Sequence, residues 1–107
     1  MKTTQYRQGD VLIQSIYAMP KQLTPISPEK GQLILAHGEV TGHAHAIAGQ
    51  NASLFSTEEL GVRFLEVTAA VAALSHDEHS TINIPHGAYK VTRQREYSPQ
   101  EVRPVKD

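Results

Sequence analysis

The chain has 107 residues, 39% of them hydrophobic and 20% charged, with a net charge of −1 and no cysteine. Those figures fit one globular domain able to fold without a crosslink, and they exclude disulfides, thiolate zinc sites, iron–sulfur clusters and cysteine nucleophiles. The near-neutral balance argues against nucleic acid or an acidic membrane as partner.

Met1 to Asp10 lacks the apolar stretch of a secretory signal. No apolar run approaches the ~20 residues of a membrane helix. The expectation is a cytoplasmic protein with no membrane contact.

In chain order, Gly9-Asp10 signals a turn, and Val11-Leu12-Ile13 with Ile16 and Tyr17 reads as a first strand. Pro20, Pro25 and Pro28 predict a loop as far as Gly31. Gln32 to Ala36 is a second strand, and the glycine-framed stretch from His37 to Gly42 is turn-rich. A third strand runs from His43 to about Ala48, ahead of the turn signal Gly49-Gln50-Asn51. Ala52 to Leu60 is ambiguous between a strand and a helical turn. Val62 to Val67 is a strand, and Ala69 to Leu74 a second one favoured over helix by its length and β context. His76-Asp77-Glu78-His79 reads as a turn, Thr81 to Ile84 as a strand, Pro85-His86-Gly87 as a turn, and Ala88 to Tyr97 as the longest strand.

These elements predict an all-β fold: residues 1–107 form a single small barrel or sandwich of about seven short strands, with residues 98–107 an extended tail.

The chemistry concentrates in six histidines. Side chains two apart on a strand share a face, so His43 and His45 point the same way, ~7 Å apart at the backbone by the strand rise. Imidazoles so spaced can converge on one ion. A site of this kind takes two histidines and a third histidine or carboxylate, with a position left open. The preferred ligands are His43, His45 and His79, with His76 or Glu39 in reserve. Asp77 and Glu78 are on hand to orient ligating imidazoles. The ion would be zinc, iron, nickel or manganese. In an enzyme it would act as a Lewis acid or activate water, with Glu39 as general base. The plainer alternative makes His43 and His45 surface residues of an edge strand, and His76 and His79 parts of a solvated turn.

The segment Gly38 to His45, with Pro85-His86-Gly87 later, resembles a degenerate cupin motif pair, and that likeness implies a β-barrel. Gly38 precedes His43-Ala44-His45 by four intervening residues rather than five. The position the motif gives to glutamate holds Gly49 or Gln50, and its second-motif histidine position holds Lys90. Two of four cupin ligands are therefore matched. The chain more closely resembles small uncharacterised bacterial and phage proteins that carry a His-Gly-Glu-x-Thr-Gly-His-x-His segment, here residues 37–45, and a terminal Arg-Gln-Arg-Glu-Tyr, here residues 93–97. That likeness implies no particular activity.

Arg93 and Arg95 share one strand face with Tyr89, Val91 and Tyr97. Paired guanidinium forks suit a phosphate or carboxylate, so a small anionic ligand beside the metal is one expectation. The alternative is structural, with ion pairs to Glu66, Glu96 or Glu101. Two further functional classes stay open. One is a non-catalytic protein- or nucleic-acid-binding module using the Arg93/Arg95 strand. The other is an assembly subunit, a homo-oligomer whose histidines mediate contacts between copies. No phosphate-binding glycine loop or Gly-x-Ser-x-Gly elbow is present.

Overall fold

A computed structural model describes residues 4–37, 43–59 and 61–93. Among the described residues there are eight strands: β1 (Gln5–Gln8), β2 (Val11–Ser15), β3 (Thr24–Ile26), β4 (Gln32–His37), β5 (Ala44–Ala48), β6 (Ala52–Ser56), β7 (Val62–His76) and β8 (His79–Arg93). The all-β class expected from the sequence holds. All pairings are antiparallel, in the order β1-β2-β8-β7-β5-β4, with β6 also on β7 and β3 on β6. The sheet is open, with β1 and β4 at its ends.

Alternation explains the core. Val11 and Ile13 of β2, Leu33 and Leu35 of β4, Ile47 of β5, Leu54 of β6, and Leu65, Val67, Ala72 and Leu74 of β7 meet Ile84, Tyr89 and Val91 of β8 in one buried cluster. The 15-residue strands β7 and β8 form its spine. Along the same edge, β7 pairs first with β6, from Val62's neighbour Arg63 to Val67, and then with β5 at Ser75. The sheet branches there.

The branch is built by an irregularity in β7 between Val67 and Val71. The backbone N–H groups of Thr68 and Ala69 leave the ladder and donate to the Asn51 carbonyl at 3.0 and 3.1 Å. On crossing it, the buried positions change parity, from Leu65 and Val67 to Ala72 and Leu74. Extra residues in a ladder bend the strand and reset its facing in this way.

Several element boundaries differ from the sequence reading. The polar segment before Gly9 is a strand, β1. The proline-rich loop contains the short β3. The two strands read between Val62 and Leu74 are one. Pro85-His86-Gly87 is not a turn but part of β8, with Pro85 opposite Val71 and Gly87 opposite Val67. The extended tail, the end of the last strand beyond Arg93, and the Gly38–Gly42 turn lie outside the described residues.

Candidate metal centre

Three hairpins converge at one end of the molecule. The first is the β1–β2 turn. Gln8 pairs with Val11, so Gly9 and Asp10 form a two-residue loop. Gly9 has φ +62°, as the first central residue of a type II′ turn requires. The turn projects Gln8 inward and Asp10 to the rim.

The second is β4–β5. Its register slips between Ile34 and Ala36, setting Ala36 rather than Leu35 opposite His45. This bulge buries Leu35 and Ala36 in succession and places His45 in the interior, 2% exposed.

The third is the tip of β7–β8. His76 pairs directly with His79 across the loop Asp77-Glu78, which brings the two imidazoles together.

The result is a cluster of four rings. Ring centres lie 4.3 Å apart for His45–His76, 4.7 Å for His76–His79, 5.7 Å for His43–His76 and 6.0 Å for His45–His79. Imidazoles sharing one ion have centres roughly 4.5–5.6 Å apart, since each centre sits about 3.2 Å from the ion. The observed separations bracket that range. Among the described residues, however, no three His, Asp or Glu side chains are so placed that together they would hold a metal ion as they stand.

His45 is the member most firmly held by hydrogen bonds. Gln8 Nε2 donates to the Leu74 carbonyl at 3.0 Å and the Ser80 carbonyl at 2.9 Å. Both acceptors are backbone oxygens beside an irregularity of the β7–β8 ladder between Leu74 and His76. They fix the orientation of the amide, so its oxygen must face His45 Nδ1, at 2.8 Å. His45 therefore carries its proton on Nδ1 and donates it to Gln8. Its Nε2 lone pair is left facing Asp10 Oδ1 at 3.6 Å.

Asp10 is held from its other oxygen. Arg93 Nε donates to Asp10 Oδ2 at 2.7 Å. Partial burial alone would raise the carboxyl pKa, but the Arg93 hydrogen bond and charge outweigh it and hold the group below its usual range. Burial, reinforced by His76, lowers the His45 pKa from 6.5 to about 4, against the opposing pull of Asp10. At neutral pH a lone pair and a carboxylate thus face one another with no proton between them.

The other histidines differ in their availability. His76 Nδ1 accepts the Glu78 backbone N–H at 3.0 Å, so in the neutral ring the proton is on Nε2. His43 stands near two carboxylates, with Nε2 3.7 Å from Asp77 and Nδ1 3.4 Å from Glu78. The angles at Nδ1 do not make a hydrogen bond, and this buried nitrogen is unpartnered among the described residues. His79 lies over the turn, its Nε2 2.8 Å from where a Gly9 Cβ would be. The exposed His37 pairs with Glu29 at 3.9 Å, and His86 is exposed on β8. Neither has a ring contact with the four.

Arg93 is engaged by Asp10 and not by Glu66; Glu96 and Glu101, the other glutamates considered from the sequence, lie outside the described residues. Glu39 and Arg95 lie outside the described residues. Sequence reading missed Gln8 and Asp10 as site residues. The Gly9-Asp10 turn signal marked the bend that carries them but not their roles.

The comparisons with known proteins add a family. The chain belongs to the family described as Domain of unknown function (DUF8820), which it matches over residues 7–94. The match takes in Gln8, Asp10, all four clustered histidines and Arg93. No curated protein and no solved structure matches the chain. Among the described residues of this family member, no helix is long and apolar enough to cross a membrane.

Proposed function

We propose that this domain binds a divalent transition-metal ion through His45 Nε2 and Asp10 Oδ1, with His79 as third ligand. The observation that carries the reading is the unprotonated pair itself, two acceptors face to face at 3.6 Å. Two donors bound at about 2.1 Å with tetrahedral or trigonal angles stand roughly 3.4–3.6 Å apart. A cation between them replaces repulsion with two bonds.

Both residues are also supported from behind, as ligands commonly are. Gln8 fixes the His45 tautomer, and Arg93 orients Asp10. His79 is favoured as third ligand over His76, whose Nδ1 is already used by the Glu78 N–H. His79 makes no hydrogen bond among the described residues, so its ring is free to turn toward the pair. His43 stands beside Asp77 and Glu78 and is left outside this ligand set. Imidazole and carboxylate donors without sulfur suit zinc, iron, nickel or manganese.

The test is metal analysis of untagged protein, with calorimetric titration of Zn²⁺, Ni²⁺, Fe²⁺ and Mn²⁺. Near-stoichiometric uptake, lost in His45→Ala and Asp10→Asn and reduced in His79→Ala, supports the assignment. No uptake, together with no rise in melting temperature on adding metal, would sink it. The four rings would then be a neutral, hydrogen-bonded packing cluster. Uptake unaffected by Asp10→Asn but abolished by His43→Ala would move the ion to the His43, Asp77 and Glu78 side.

A further inference from the structure

A second feature lies beside the histidine cluster and does not depend on any metal. The start of β2, the ends of β4 and β8, and the start of β7 enclose a cleft of about 250 Å³. Val11, Leu35, Ala36 and Val91 give it apolar walls, and His37, Arg63 and Arg93 border it; among the described residues no aspartate or glutamate lines it.

The β4 bulge explains why Arg63 is here. The slip around Leu35 leaves carbonyls out of the ladder, and Arg63 Nη1 donates to Ile34 O at 2.8 Å and Leu35 O at 3.4 Å. These bonds pin the guanidinium while leaving Nε and Nη2 uncommitted among the described residues. No carboxylate there pairs with Arg63. Arg93 spends Nε on Asp10, and its two terminal nitrogens are uncommitted among the described residues. Two anchored guanidiniums thus offer spare donors to a cleft whose walls are otherwise greasy.

We infer that this cleft binds a small organic carboxylate, its anionic head on Arg63 and Arg93 and its apolar body against Leu35, Ala36 and Val91. Guanidinium forks match the planar two-oxygen head. Apolar walls with a few convergent polar groups are the usual make-up of a small-molecule site. The volume suits a body of about ten non-hydrogen atoms rather than a nucleotide or a polymer. Inorganic phosphate would satisfy the arginines and leave the walls wet.

The experiment is calorimetric titration with benzoate in the presence of a chelator, so that the result is independent of the metal assignment. Benzamide is the neutral isostere and inorganic phosphate the bare anion. The expected result is benzoate binding about tenfold or more tighter than either control, with Arg63→Gln weakening it by a similar factor. Amide chemical shifts in the unmodified protein should move at Leu35, Ala36 and Val91 and not at the Asp77-Glu78 loop, a readout that survives if Arg63→Gln fails to fold. Absence of benzoate binding at millimolar concentration, equal binding of benzamide or phosphate, or shifts confined to the hairpin tip would each overturn the inference.

Discussion

Gln8 dictates which nitrogen of His45 carries the proton. Its amide has no freedom to flip, because Nε2 is held between the carbonyls of Leu74 and Ser80. Replacing it by leucine removes three hydrogen bonds and leaves the Leu74 carbonyl and His45 Nδ1 without these partners in the interior. The expected loss is about 2–4 kcal/mol of unfolding free energy, read by urea denaturation. Gln8→Glu should be no milder despite its matching shape, since a carboxylate would face both carbonyls with no proton to offer.

His45 should make the stability of the metal-free protein fall on acidification. Its folded pKa, about 4, lies below the ordinary 6.5. Between those values the unfolded chain binds a proton that the folded chain refuses. The contribution is fully present above about pH 6.5 and is lost as pH falls through about 4. Its size is at most about 3 kcal/mol. Measured against His45→Asn from pH 7 to 4, the wild-type advantage should shrink steadily. A constant difference would mean that His45 takes up its proton in the folded state as easily as in the unfolded one.

Gly9→Ala is expected to destabilise by about 1–2 kcal/mol. The backbone there has φ +62°, and the new methyl would press on His79 Nε2 at 2.8 Å. The histidine ring can swing away, so the backbone strain should dominate. Proton NMR of the His79 ring would register the displacement even if the stability change is small.

Arg93→Gln separates support from ligation. It removes the charge behind Asp10 without touching a proposed ligand, so metal affinity should fall by roughly 10–100-fold, the usual cost of losing an outer partner. The Asp10 carboxyl should also titrate at higher pH in the variant, by NMR. Unchanged affinity would indicate that Asp10 is not a ligand.

Much of this architecture was legible in the sequence because strand alternation is a local signal. Even the β7 irregularity left a mark: apolar residues run in phase through Val67 and resume out of phase at Ala72, which reads as two strands when the partner is unseen. The polar β1 gave no such signal, since Tyr6 alone is apolar there. Pro85 looked like a turn because a ladder position opposite Val71 is not something its neighbours announce. At the site, His43, His45, His76 and His79 stood out by residue type and spacing. Gln8, Asp10 and Arg63 did not, because their roles come from partners far along the chain and from carbonyls freed by irregular ladders. No local pattern encodes those.

The contacts that define the His45 environment join residues 37, 66 and 83 positions apart. The pocket is complete only when the first turn, the middle hairpin and the final strand have all docked, and each of its contacts closes a long loop of chain. A fragment starting after Asp10 would keep most of its strands and still lack the paired acceptors. Ion capture by such a truncated chain would have to come from somewhere else.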